Sequence, residues 1–210
     1  MRPFLLLAAP LFLGLFAGCG EPQADLSTPK IHQSGGISFE YPKNWRITED
    51  SVTPEIHYLF VETPGDALVI LQSYPTGEAD DLTAFSKEFS ESATTEAPIG
   101  KIAKSTFSNI PDAGGYGWIV EDFEINLLGE SVPHRRLYGS KEIGERLVFL
   151  ILQAATEDYS KAEAGFQLIR DTLRDIPKAE QGGADQPATA VESKPEGSEH
   201  PKPESEVRPK

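Results

Sequence analysis

The sequence predicts an α+β fold in which an antiparallel sheet is sandwiched between helices, an α/β/α arrangement. Two short apolar runs, Ala67 to Leu71 and Leu147 to Leu152, do not alternate with polar residues. That is the pattern of strands covered on both faces. Two other segments carry helical spacing and can supply the covers: Leu82, Phe85 and Phe89 after Asp80-Asp81, and Tyr159, Ala162, Phe166, Ile169, Leu173 and Ile176.

Taken in order, Ile37, Phe39 and Tyr41 alternate with Ser38 and Glu40 as a strand that Pro42 ends before Trp45. His57 to Val61 and Ala67 to Tyr74 flank Thr63-Pro64-Gly65-Asp66 and read as a hairpin. Asp80 or Asp81 caps the first helix. Lys101 to Ile110 is weakly strand-like, and a turn over Pro111 to Gly115 leads into a strand from Tyr116 to Leu127. Along that strand the apolar parity switches between Trp118 and Val120 and the trio Phe123, Ile125 and Leu127, so a bulge is expected near Glu121-Asp122. A turn at Leu128-Gly129 returns the chain through Val132 to Tyr138, and Glu142 to Glu145 closes the next hairpin. The last helix runs from Tyr159 to Ile176, where Pro177 stops it.

The chain starts Met1-Arg2-Pro3, continues with an apolar run from Phe4 to Phe16, and then reads Ala17-Gly18-Cys19. A basic start, an apolar stretch and small residues are the regions of a secretory signal peptide, here residues 1–18. The run is too short to span a bilayer, which takes about 20 apolar residues. Ala-Gly-Cys resembles the lipobox of bacterial lipoproteins, although Phe16 stands where leucine is usual. The resemblance implies cleavage before Cys19 and a membrane anchor through lipid on its sulfur. Cys19 is the only cysteine, so no intramolecular disulfide can form, and lipidation would mask an otherwise exposed thiol. Gly20, where an aspartate would favour inner-membrane retention, points to the periplasmic face of an outer membrane if the cell has one.

Residues 19–35 read as the lipidated cysteine and a spacer, residues 36–177 as the folded domain, and residues 178–210 as a disordered tail rich in Pro, Glu and Lys. A formal net charge of −14 opposes binding to nucleic acid, which demands basic patches. The chain has no nucleophile elbow, H-E-x-x-H pair or phosphate-binding glycine loop, so neither a cofactor nor a metal is expected. His57 and His134 could form a zinc or catalytic site only if folding brought them together. Glu78, Asp80 and Asp81 lack EF-hand spacing and suit a helix start instead.

Glu121, Asp122 and Glu124 form the most acidic stretch of any expected strand. Counting back from the Leu128-Gly129 turn sets Asp122 near Arg135 and Glu121 near Arg136. Cross-strand ion pairs worth about 0.2–1 kcal/mol account for them without a function. The competing expectation is a ligand or cation site at Glu121, Asp122, Glu124 and His134. Tyr58, Tyr74, Tyr116, Trp118 and Tyr138 could line a cleft, or simply pack the core.

The opening GISFEYPKNW, Gly36 to Trp45, resembles that of PsbP-like domains, the family of the extrinsic lumenal protein of photosystem II. The resemblance covers residues 36–177 and implies an antiparallel sheet between helices. Phe39, Tyr41, Pro42 and Trp45 carry it, and all are core and turn residues without chemistry. The expectation is therefore an exported, membrane-anchored, non-catalytic binding or assembly module with a protein partner in the cell envelope. A carrier of a small ligand or metal ion, in a pocket between sheet and helix, is the alternative. An envelope enzyme comes third.

Overall fold

The computed structural model describes residues 23–96, 101–127 and 129–176. Along these residues run β1 (Lys30–Ser34), β2 (Ile37–Tyr41), β3 (Arg46–Val52), β4 (His57–Glu62) and β5 (Leu68–Pro75). Helix α1 (Leu82–Glu96) follows, then β6 (Lys101–Ala113), β7 (Tyr116–Leu127), β8 (Glu130–Ile143), β9 (Arg146–Ala155), α2 (Tyr159–Thr172) and β10 (Arg174–Asp175). Seven strands form one sheet in the order β3-β4-β5-β9-β8-β7-β6, and three form another in the order β1-β2-β10. The fold is thus mostly antiparallel sheet with two helices. Among the described residues no helix is long and apolar enough to cross a membrane.

Strand β9 lies at the middle of the large sheet, and its lack of alternation has a simple cause. Val148, Leu150, Leu152 and Ala154 enter a core shared with Trp45 and with Phe166 and Ile169 of α2. Phe149 and Ile151 enter a second core, packed against Phe85 and Phe89 of α1. β5 behaves alike, with Val69 and Leu71 in the first core and Ile70 in the second. Each fully buried side chain of this size contributes roughly 1.5–3 kcal/mol, so apolar residues on both faces are what hold the layers together. The first face is covered by α2 together with the three-stranded sheet, whose Ile37 and Phe39 enter the same core. The second face carries α1, with Phe85 stacked on Phe149 at 3.9 Å between ring centroids.

Close approach fixes α2. Gly165 lies where an added Cβ would meet Trp45 Cζ2 at 2.5 Å and Pro42 Cγ at 2.8 Å. At the start of α1, Asp81 is the cap: its Oδ1 accepts from the backbone N–H of Thr83 at 2.8 Å and of Ala84 at 2.9 Å.

Three expectations fail, each for a physical reason. The spacer ends well before residue 35, because Lys30–Ser34 is β1, paired with β2 from Lys30↔Tyr41 to Ser34↔Ile37. β1 is an edge strand with mostly exposed side chains, so it leaves no hydropathy signal. The chain joins the body earlier still: Ala24 N–H donates to Lys161 O at 3.1 Å, Lys43 N–H to Asp25 O at 2.9 Å, and Asn44 Nδ2 to Gln23 O at 2.9 Å. The bulge near Glu121-Asp122 is absent from the β7–β8 pairing, which runs unshifted from Gly117↔Ser140 to Leu127↔Glu130. The register shifts fall between β6 and β7 instead, at Ala103/Thr106 and Ile110/Ala113. Both faces of β7 are covered from Trp118 to Val120, and on the face beneath α1 Glu121 occupies a buried position that pattern reading reserves for an apolar residue. Finally, α2 stops at Thr172. Leu173 turns extended, Arg174 and Asp175 pair with β2, and Ile176 N–H donates to Gly36 O at 2.9 Å.

The expected signal peptide over residues 1–18, Cys19 and the tail over residues 178–210 lie outside the described residues.

Candidate functional site

The β7–β8 hairpin pairs Glu121 with Arg136 and Asp122 with Arg135, as counting from the turn requires. Alternation sends the two pairs to opposite faces. Asp122 and Arg135 form an exposed ion pair at 2.8 Å. Glu121 and Arg136 form one at 2.9 Å with side chains only 0% and 3% exposed, beneath α1.

This buried pair is the centre of a network. Glu121 Oε2 accepts from Arg136 at 2.9 Å and from the Tyr138 hydroxyl at 2.6 Å. Glu121 Oε1 accepts from Ser90 of α1 at 2.6 Å and from Ser105 of β6 at 2.5 Å. Arg136 also donates through Nε to Gln153 Oε1 at 2.7 Å, and its guanidinium carbon sits 4.5 Å from the Phe123 ring centroid. A carboxylate offers about four lone-pair sites, and four donors occupy them here. Burial pushes the Tyr138 hydroxyl far above its ordinary value, so it stays protonated and donates. Glu121 therefore has neither a free lone pair nor an approach for substrate. The network ties α1, β6, β7, β8 and β9 together.

The other sequence candidates have separate partners. Glu124 accepts from Lys104 Nζ at 2.9 Å and from the Ser131 hydroxyl, and these bonds hold its carboxyl below the usual range. His134, buried, stacks against Phe123 and lies 3.6 Å from Asp66, whose carboxyl it holds low. Glu121 and His134 thus share one face, Asp122 and Glu124 the other, and the four do not converge. His57 and His134 do not meet either. His57 leads through Ser73 to Val148 of β9, whereas His134 pairs with Ala155, seven residues further along that strand or about 23 Å. Among the described residues no group of three or more His, Cys, Asp and Glu could hold a metal ion.

Sequence reasoning missed one titratable cluster. Asp50 of β3 takes His57 Nε2 on one oxygen at 2.7 Å, while His32 Nε2 of β1 lies 3.1 Å from the other, outside hydrogen-bond geometry. His57 is fully buried and its Nδ1 has no hydrogen-bond partner; Gly35, at φ +55°, sits so near that an added Cβ would meet that nitrogen at 2.3 Å. The cluster joins the two sheets and depends on β1, which left no signal.

Between α1 and the large sheet runs an open groove of about 340 Å³, lined by Tyr58, Ile70, Tyr74, Phe85 and Phe89 with Gln72 and Glu88 at its polar edge. Tyr58 and Tyr74 are half-buried, and burial raises both hydroxyls, helped by Glu49 and Glu88 respectively. Of the aromatics expected to line a cleft, these two line this groove, and Trp118 borders a smaller cleft beside Tyr159 and Phe166 of α2. Tyr116 and Trp118 pack the first core and Tyr138 the second.

No family model and no curated protein sequence matches the chain. Among solved structures it is similar to cyanobacterial PsbP (CyanoP) from Synechocystis sp. PCC 6803, at 13% identity and a TM-score of 0.47, over 78% of this chain and 99% of that one. It is also similar to LpqN, involved in cell envelope biogenesis of Mycobacterium tuberculosis, at 15% identity and a TM-score of 0.37, over 71% and 90% of the two chains. A third likeness is to PA94 from Pseudomonas aeruginosa, a protein of unknown function, at 15% identity and a TM-score of 0.36, over 71% and 98%.

Chemically, two neighbouring features on the α1 side of the sheet differ. The buried carboxylate and guanidinium neutralise each other and fasten α1, whereas the groove beside that helix presents aromatic surface edged by an amide and a carboxylate. Aromatic walls with a few polar groups suit recognition.

Proposed function

We propose that this protein is an exported lipoprotein, anchored through lipid on Cys19, whose PsbP-like α/β/α domain is a non-catalytic binding or assembly module for an envelope protein. The groove between α1 and the sheet is its binding surface, and one observation carries the reading. Tyr58, Tyr74, Phe85 and Phe89 line an open cleft, while Glu121 and Arg136 are consumed by one another beneath the same helix. The signal peptide, the lipobox and Gly20 supply the address, the outer-membrane periplasmic face in a Gram-negative cell.

The test is a photo-crosslinking residue at Ser92, on the groove's rim, in cells that make the full chain. A defined protein adduct that weakens in the Glu88→Lys variant is expected. Absence of any protein adduct, beside a turnover activity in the purified protein, would sink the reading. The groove's volume also suits a small ligand, since such sites run from about 300 to 1,000 Å³. A carrier would show as a thermal shift with a small-molecule envelope extract and no protein adduct.

A further inference from the structure

The body is fastened to its first described residues, and this limits where a lipid on Cys19 can hold it. Gln23, Ala24 and Asp25 are bonded to Asn44, to Lys161 of α2 and to Lys43, and Ala24 packs against the first core. Only residues 20–22 separate Cys19 from this segment. Four residue steps span at most about 14 Å even when fully extended. A domain of some 150 residues has a radius of gyration of about 15 Å, so its far side lies well beyond that reach.

The surface that the tether holds down has its own character. Leu26 is 41% exposed, an uncovered aliphatic seven positions after Cys19. Lys43 is exposed beside it, Lys161 pairs with Asp158, and Lys30 reaches Trp45 O with its Nζ at 3.0 Å. Lys30, Lys43 and Lys161 therefore lie there among the carboxylates of Asp25, Glu157, Asp158 and Glu163, on a chain whose formal net charge is −14. Acidic protein is repelled by an anionic bilayer, and lysines near the lipid offset that repulsion locally.

We propose that the surface formed by residues 23–30, Lys43 and the start of α2 rests on the phospholipid headgroup layer, with Leu26 and Lys43 in contact with lipid, and that the α1 groove faces away from the membrane. The groove lies on the opposite face of the large sheet, since its Phe85, Phe89 and Ile70 belong to the second core and Ala24 to the first. The inference rests on lipidation of Cys19, and its test separates the two.

Acylation leaves no free thiol in the mature chain, so a cysteine introduced at Leu26 is the sole site for a spin label, as is one at Lys87 on the outside of α1. The labelled full-length lipoproteins are placed in vesicles of phosphatidylethanolamine and phosphatidylglycerol at 3:1, and collision with an aqueous nickel chelate is read by power saturation. Both sites are exposed, so folding is not at issue. The expected result is a severalfold loss of nickel accessibility at position 26 and none at position 87. Equal accessibility at the two sites, with labelled palmitate still incorporated, overturns the docking and leaves the anchor standing. Failure to incorporate palmitate, with Cys19→Ala behaving like the natural chain, overturns both.

Discussion

Glu121→Gln keeps the shape of the side chain and deletes its charge, leaving the Arg136 guanidinium, 3% exposed, without its counter-ion. Breaking a buried pair from one side costs about 3–5 kcal/mol, because the remaining charge is desolvated and unpaid. The next residue supplies the control. Asp122→Asn breaks an ion pair of similar length, 2.8 Å against 2.9 Å, on the same two strands, but its partners are 44% and 49% exposed. Exposed pairs contribute about 0–1 kcal/mol, so the two variants should differ by about 2–5 kcal/mol. In a domain of this size each kcal/mol moves the melting temperature by about 2–4 °C, which makes the Glu121→Gln loss roughly 6–20 °C. Urea unfolding of the mature protein, followed by circular dichroism, measures both. If Glu121→Gln and Asp122→Asn agree to within about 1 kcal/mol, burial is not what sets the strength of this network, and the reasoning is refuted.

Two further outcomes follow from packing and charge. Gly165→Ala, ordinarily a gain in a helix interior, should here destabilise by about 1–3 kcal/mol, because the new methyl meets Trp45 and Pro42; an unchanged urea midpoint would contradict that contact. Burial holds His32 below its ordinary range, against the pull of Asp50. The unfolded chain then takes up that proton first as pH falls, so stability is full above about pH 6.5 and declines below it. His32→Gln should shrink the difference in urea midpoint between about pH 7.5 and pH 5.5, and an undiminished difference would assign the titration elsewhere.

What could be read from the sequence was whatever local chemistry decides. Counting from a turn expected at Leu128-Gly129 paired Glu121 with Arg136, and Asp80-Asp81 marked the start of α1, where Asp81 proves to be the cap. β9 and β5 showed their double burial as unbroken apolar runs. Long-range pairing decided the rest. β1 is a polar edge strand that exists because β2 offers it a partner, and β10 displaces the last turn of α2 for the same reason. Glu121 misled the pattern because a carboxylate was assumed to face water, and only Arg136, Tyr138, Ser90 and Ser105 make an inward carboxylate tolerable. The groove was half legible: Tyr58 and Tyr74 stood out, but Phe85 and Phe89 were indistinguishable from core residues of an amphipathic helix.

The separation of the two cores also decides what light can report. Both tryptophans, Trp45 and Trp118, lie in the core that contains α2, while the α1 core holds tyrosine and phenylalanine. Intrinsic emission excited at the red edge therefore reads one side of the sheet and is blind to a guest in the groove. Tyr58 and Tyr74, excited at shorter wavelength, are the natural reporters there. In a melt the two signals should nonetheless coincide, since β9 gives alternate side chains to both cores and neither can come apart while the other keeps that strand in place.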